Sequence, residues 1–136
     1  MARRRGMQQR LAPVAVVLIG LAGPAAAAVD GTPAQPVTVV AADYHFAPDK
    51  LALKQGIAYR LRIENRGKEL HQFSAPAFFG VVEIGDPSVL NADRTEIAVE
   101  PGDAKELIVV PKKAGRYRLI CPDHDWTGMI GEITVE

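Results

Sequence analysis

The sequence predicts an all-β fold, a Greek-key β-sandwich or barrel of seven to eight short strands. Apolar residues alternate with polar ones at a period of two, and turn-forming residues recur between these short segments. The alternation is clearest at Ile57, Tyr59, Leu61 and Ile63. No window of a dozen residues beyond the N-terminal segment shows an apolar stripe with the helical period. Many short strands with regular turn signals are typical of a sandwich or barrel.

The predicted strands follow one another at short intervals, with Gly, Pro, Asn and Asp between them. One longer irregular piece, residues 75–94, contains Pro76, Gly80, Gly85 and Pro87. We expect one short strand at residues 81–84 and one helical turn at residues 88–92 within it. The other predicted strands are residues 37–44, 50–53, 57–64, 70–74, 95–99, 105–110, 116–121 and 129–135.

The N-terminal segment has the composition of a secretory signal peptide, which we place at residues 1–28. It carries Arg3, Arg4, Arg5 and Arg10 without an acid, then the apolar run 11–21, then four alanines at 25–28. The apolar run is too short to span a bilayer comfortably. We therefore expect export to the periplasm without stable membrane insertion, with an uncleaved anchor as the alternative. A flexible leader at residues 29–36 and one domain at residues 37–136 would follow.

The charge balance excludes one class of partner. The whole chain carries 16 Lys plus Arg against 16 Asp plus Glu. Removal of residues 1–28 takes away four arginines and no acid, which leaves 12 against 16 and a formal charge of about −4. No basic stripe remains to bind phosphates, so we expect no nucleic-acid binding. A domain of this size needs no second copy to bury its core, and we expect a monomer.

The residues that can carry chemistry lie near the C-terminus. Cys121, His124 and Met129 form the pattern Cys-x2-His-x4-Met between two predicted strands, and Cys121 is the chain's single cysteine. A loop of this length can bring a thiolate, an imidazole and a thioether to one point. Soft sulfur donors with imidazole suit copper, which alternates between Cu(I) and Cu(II). The candidate for a fourth ligand is a histidine on a neighbouring strand, His71.

This pattern resembles the cupredoxin family, in particular the plastocyanin and pseudoazurin spacing. His71 precedes Cys121 by 50 residues and follows a turn with Asn65 and Gly67, as the first histidine ligand of that family does. The resemblance implies a cupredoxin-like fold and one blue, type 1 copper ion with His71, Cys121 and His124 in a plane and Met129 as a long axial ligand. It implies single-electron carriage without catalysis, with transient docking to a cytochrome, oxidase or reductase. The alternative is a periplasmic copper carrier, chaperone or resistance protein with the same ligands.

One position departs from the family. Pro122 directly follows the cysteine, and Asp123 stands where such loops usually have proline. Because proline has no N–H, this shift frees the Asp123 amide to hydrogen-bond the Cys121 sulfur, beside the Gln72 amide. Such donors raise a reduction potential, whereas nearby carboxylates lower it. The two effects oppose each other.

Simpler interpretations exist for each residue. Cys121 and Met129 could be ordinary core residues, and structural zinc could bind Cys and His, although it normally takes four such donors and no thioether. Nucleophilic catalysis by Cys121 lacks a recognisable oxyanion arrangement. His45 is expected at the surface, with a weaker copper contact as the alternative. Trp126 could shield the metal, form a docking patch with Pro122 or simply pack, and the loop acids could be solvated charges.

Overall fold

The computed structural model describes residues 28–29 and 32–136, so the predicted signal peptide lies outside them except for Ala28. The chain forms short strands with one helical turn, α1 (Pro76–Phe79), and two 3-10 turns at Pro87–Val89 and Asp125–Thr127. The strands are β1 (Ala28–Val29), β2 (Thr32–Pro33), β3 (Gln35–Ala42), β4 (His45–Ala47), β5 (Lys50–Leu53), β6 (Tyr59–Asn65), β7 (His71–Ser74), β8 (Val82–Ile84), β9 (Glu96–Val99), β10 (Ala104–Pro111), β11 (Gly115–Ile120) and β12 (Ile130–Val135).

Two five-stranded sheets pack as a β-sandwich, which confirms the all-β prediction, although their ten strands exceed the seven to eight expected. Their strand orders are β4-β3-β6-β10-β8 and β5-β12-β11-β7-β9, and β1 pairs with β2 separately. Pairing is parallel between β3 and β6 and between β5 and β12, and antiparallel between the other neighbours. The second sheet brings β7 beside β11, because Ile120 pairs with Ser74. The predicted histidine ligand therefore opens a strand that lies beside the strand preceding the cysteine.

The alternation of apolar and polar residues in the sequence matches the alternation of buried and exposed side chains in the strands. In β6, Tyr59, Leu61 and Ile63 are buried, while the residues between them are partly exposed. In β11, Tyr117 and Leu119 are buried and Cys121 continues the same face. Side chains two positions apart share one face of a strand. Cys121 therefore points into the sandwich, as the sequence predicts.

The first predicted strand is wrong at its end. We expected one strand over residues 37–44, but β3 ends at Ala42 and the chain turns back into β4, which pairs with it in antiparallel register. The two turn residues, Asp43 and Tyr44, have φ of 44° and 65°. A two-residue hairpin needs such left-handed backbone to match the strand twist. The apolar residues Phe46 and Ala47 lie just after this turn, so the sequence pattern did not show where the strand ends.

The irregular piece also differs in detail. The helical turn expected at residues 88–92 is a 3-10 turn at Pro87–Val89, where the Asp86 carboxylate accepts from the Ser88 N–H at 2.9 Å. The helical turn α1 was not predicted, because the run is short and Phe78 and Phe79 are both buried rather than spaced along one stripe. None of the helices in residues 28–29 and 32–136 is long and apolar enough to cross a membrane.

Candidate metal centre

Three of the four predicted ligands meet at one end of the sandwich. The ligand atoms of His71, Cys121 and His124 all lie within 4.8 Å of one another. His71 opens β7, Cys121 follows β11, and His124 lies three residues further along the loop. The Cys121 Sγ is 3.4 Å from His124 Nδ1. The point where these atoms converge is enclosed, since His71 is 2% exposed and Cys121 is fully buried.

The loop from Cys121 to Met129 is held by its own backbone. The Cys121 N–H donates to the Met129 carbonyl at 3.1 Å, and the Met129 N–H donates to the His124 carbonyl at 3.2 Å. Gly128 has φ of 94°, a left-handed conformation in which glycine carries little strain. The fourth predicted ligand, Met129, is fully buried where the loop returns to β12. All four predicted ligands are therefore buried at the same end of the second sheet.

His71 offers a nitrogen with no protein partner. Its Nδ1 is buried and, among the residues the structure describes, makes no hydrogen bond. Burial lowers the pKa of His71, and the neighbouring His124 imidazole lowers it further. The ring is therefore neutral at pH 7 and can present a lone pair. A buried polar atom without a partner is costly, and a metal ion at this point would satisfy it.

The turn before β7 shapes the space around His71. Asn65 is buried, and its side-chain NH₂ donates to the Glu69 and Val99 carbonyls at 2.7 and 2.8 Å. Its Oδ1 accepts from the Gly67 N–H at 2.9 Å. A Cβ at Gly67 would lie 2.8 Å from His71 Nε2. One buried amide thus fixes a turn whose glycine leaves room for the imidazole.

The Cys121 sulfur is hydrogen-bonded by Gln72. The Gln72 backbone N–H donates to Sγ at 3.4 Å, and the thiol donates to the Gln72 Oε1 at 3.1 Å. Burial raises the pKa of the Cys121 thiol, while the backbone N–H groups of Gln72, Asp123 and His124 act in the opposite direction. The free thiol is protonated at pH 7, so metal binding would displace that proton. The Gln72 amide bonds the sulfur as expected, while the Asp123 amide acts only on the pKa of the thiol, and its predicted hydrogen bond to the sulfur stays a prediction.

Two further residues contact His124, and no sequence pattern predicted either contact. The Glu69 Oε2 lies 2.9 Å from His124 Nε2, and Tyr44 Oη donates to Glu69 Oε1 at 3.2 Å. The Tyr44 ring lies over the His124 imidazole with a centroid distance of 4.8 Å. These contacts join the β3–β4 hairpin to the ligand loop, which are 80 residues apart along the chain.

The family-model comparison gives a match over residues 11–135, to the cupredoxin-like domain. The chain belongs to the cupredoxin-like family. No curated protein sequence matches this chain. The resemblance predicted from the ligand spacing is confirmed.

Solved structures share the cupredoxin-like fold. Dithionite-reduced auracyanin from Roseiflexus castenholzii superposes with a TM-score of 0.57 at 18% identity, over 76% of this chain and 98% of that one. Auracyanin A, a blue copper protein from Chloroflexus aurantiacus, gives 0.52 at 21% identity, over 74% and 99%. A multicopper oxidase from Campylobacter jejuni gives 0.59 at 15% identity, over 79% of this chain and 31% of the oxidase. At these identities the likeness concerns the fold.

The cupredoxin-like family and the donor set assign one copper ion to this site. Two imidazoles and a thiolate are the trigonal donors of blue-copper sites. The orphaned Nδ1 of His71 shows that the residues fit such an ion. Among the described residues, the cluster supplies three Cys or His donors rather than the four that structural zinc normally takes.

The other residues that the sequence singled out in this cupredoxin-like domain lie either at the surface or next to the metal centre. His45 is exposed in β4 and does not belong to the cluster, as predicted. Trp126 is 81% exposed, and its Nε1 donates to the Asp123 carbonyl at 3.0 Å, so it does not shield the centre. The Asp123 carboxylate accepts from the Gln72 side chain at 3.0 Å. Asp123 therefore has a structural partner and is more than a solvated charge.

Replacing Gly67 with alanine is expected to weaken copper binding in this cupredoxin-like domain with little loss of stability. The new methyl would press on His71 Nε2 at 2.8 Å and turn the ring. We expect about a tenfold loss of copper affinity. This is the smaller of the losses usually seen when a residue that orients a metal ligand is changed. Competition with a chelator measures it. Gly80→Ala is the control, because its Cβ meets nothing closer than 3.4 Å. Equal affinity in both variants would contradict the prediction.

Proposed function

We propose that this domain carries single electrons through one copper ion held by His71, Cys121 and His124, with Met129 as a weak axial ligand. The observation that carries the proposal is the convergence of two imidazoles and a thiol within 4.8 Å in a buried pocket. Copper supplies the one-electron change between Cu(I) and Cu(II) when bound to such donors. We propose no catalysis, because such a donor set leaves no open position for a substrate.

The protein's part is to hold the donors still. His71 is fixed by β7 and by the Asn65 turn, and Cys121 by β11 and the Gln72 amide. β7 and β11 are adjacent strands of one sheet, and they cannot separate without breaking the hydrogen bonds between them. Fixed donors leave little rearrangement when the charge of the metal changes. Such a frame suits rapid transfer of an electron.

Met129 is proposed as the axial donor because of its place in the loop. It is fully buried, and its backbone bonds to both Cys121 and His124. A thioether is a soft and weak ligand, which suits a long axial contact to copper. The competing role is ordinary core packing. Met129→Leu keeps the volume and removes the sulfur, so a changed reduction potential in that variant would favour ligation.

The loop end of the sandwich is the proposed surface for electron exchange. Trp126 and Pro122 are exposed within the ligand loop, and Asp123 lies between them along the chain. An exposed apolar group with an acidic rim favours transient docking of a redox protein that presents basic residues. We propose a cytochrome, oxidase or reductase as that partner.

The setting proposed for this chemistry is the periplasm. The arginine-rich start, the apolar run and the four alanines of residues 1–28 support export and cleavage, which would leave the domain at residues 37–136 behind a leader at residues 29–36, whose last two residues already belong to β3. The proposed location can be tested directly. Cell fractionation with N-terminal sequencing of the exported chain would test location and cleavage together.

The rate of electron self-exchange and the rate of copper transfer distinguish an electron carrier from a copper carrier. The copper-loaded protein, after mild oxidation, should show an intense visible band from sulfur-to-copper charge transfer and a matching electron-paramagnetic spectrum. Its electron self-exchange should be fast, and its transfer of copper to a metal-free acceptor slow. A coloured protein with slow self-exchange and rapid copper transfer would instead support delivery. A loaded protein that stays colourless after oxidation would overturn both the ligand set and the proposed electron carriage.

A further inference from the structure

The outward side of the His124 imidazole is occupied by protein groups. Nδ1 faces the Cys121 sulfur at 3.4 Å, and Nε2 faces the Glu69 carboxylate at 2.9 Å. The side chain of His124 is 11% exposed and that of Glu69 is 56% exposed. The ring therefore has one nitrogen directed to the ligand cluster and the other directed to an anion at the surface.

Glu69 is placed by contacts from two directions. Its carbonyl accepts from the buried Asn65 amide at 2.7 Å, which fixes the backbone just before His71. Its second carboxylate oxygen accepts from the Tyr44 hydroxyl at 3.2 Å. Tyr44 sits in the left-handed hairpin turn, and its ring covers both His124 and, edge-on at 6.5 Å, His71. The carboxylate is thus held against Nε2 rather than free to move with solvent.

We propose that Glu69 is a positioning residue for the copper centre: it binds the Nε2–H of His124, directs Nδ1 to the metal and lowers the reduction potential. The proposal rests on the proposed function. A carboxylate only accepts hydrogen bonds, so the Nε2 that faces it at 2.9 Å donates and Nδ1 is left for the metal. A carboxylate on the far side of a ligating imidazole raises its basicity as a metal ligand.

The direction of the effect on the potential follows from charge. A more basic imidazole and a nearby anion both stabilise Cu(II) relative to Cu(I), which lowers the potential. The Tyr44 hydroxyl and the Lys68 ammonium make this lowering of the potential smaller. Both line a cavity of about 130 Å³ together with Glu69, Asp43 and His71. The His124 side chain in this hydrogen bond is 11% exposed and that of Glu69 is 56% exposed. Solvent therefore screens this hydrogen bond less than it screens a pair of fully exposed charges.

Glu69→Gln tests the proposal with two measurements on the whole exported chain. The first is the reduction potential of the copper-loaded protein by spectroelectrochemistry. Loss of the carboxylate should reduce the affinity for Cu(II) about tenfold relative to Cu(I), which is a rise of about 59 mV for one electron. Asp125→Asn is the control, because it removes one negative charge from the ligand loop and, among the described residues, its side chain bonds no imidazole. It should give a clearly smaller rise.

The second readout needs no copper. Long-range nitrogen–proton spectra of the copper-free protein show which ring nitrogen of His124 carries the proton. The wild type should show the Nε2–H form alone, and Glu69→Gln a mixture, because an amide can donate as well as accept. Wild-type spectra with mixed tautomers, or a potential in Glu69→Gln equal to that of Asp125→Asn, would overturn the inference. A colourless wild type would defeat the proposed function instead, while the tautomer readout would still decide the role of Glu69.

Discussion

Replacing Cys121 with serine is expected to abolish the visible colour of the copper-loaded protein. The band requires a thiolate on copper, and Cys121 is the chain's single cysteine. Serine occupies less volume and can accept from the Gln72 N–H that now reaches the sulfur at 3.4 Å. The sandwich should therefore remain folded. Copper affinity should fall by well over tenfold, because a hydroxyl is a poor ligand for soft Cu(I).

The matched control is His45→Ala, which removes an exposed imidazole outside the cluster. It should keep the full band and the wild-type copper affinity. Circular dichroism and the thermal midpoint of both variants verify that the fold is intact. Retention of an intense visible band in Cys121→Ser would place the chromophore elsewhere and remove the assignment.

Replacing Asn65 with alanine should damage stability and copper binding together. The variant loses bonds to two buried or partly buried carbonyls and to the Gly67 N–H. Leaving such groups without partners costs about 2–4 kcal/mol in total. The turn would also stop fixing Glu69 and His71, so copper affinity should fall about tenfold or more. Urea unfolding measures the stability, and chelator competition measures the affinity.

Asn91→Ala is the control for this variant. Asn91 also organises a turn, since its Oδ1 accepts from the Thr95 and Glu96 N–H groups at 2.8 and 3.3 Å. That turn precedes β9, whose far end, Val99, pairs with His71. Asn91→Ala should lose stability but keep its copper affinity. An Asn65 variant that loses stability alone would show that the turn does not position the ligand.

The strands and the ligand loop were predictable because their signals are local. The alternation in β6 and β11 marks which side chains face inward, and the Cys-x2-His-x4-Met spacing places three donors in one loop. The convergence of His71 with them is a long-range event. It depends on β7 pairing with β11, which the resemblance implied and no local pattern could establish.

The contacts around His124 could not be predicted for the same reason. Glu69 and Tyr44 reach the ring from two other loops, and nothing in their own neighbourhoods marks them. Tyrosine rarely adopts positive φ, so the turn at Asp43 and Tyr44 carried no glycine signal. Gln72 was expected to act through its backbone amide, whereas its side chain also bridges Cys121 and Asp123. Side-chain reach of this kind is set by packing rather than by spacing.

The parallel pairing of β5 with β12 sets the order in which the molecule can assemble. Leu51 in the first half of the domain pairs with Ile133 close to the C-terminus. β12 is also the strand into which Met129 leads, and it pairs with β11 over six residues. Contacts between such distant segments form late, since the entropy of closing the intervening chain must be overcome first. We therefore expect β12 to pair first with the neighbouring β11 and to join β5 late in folding.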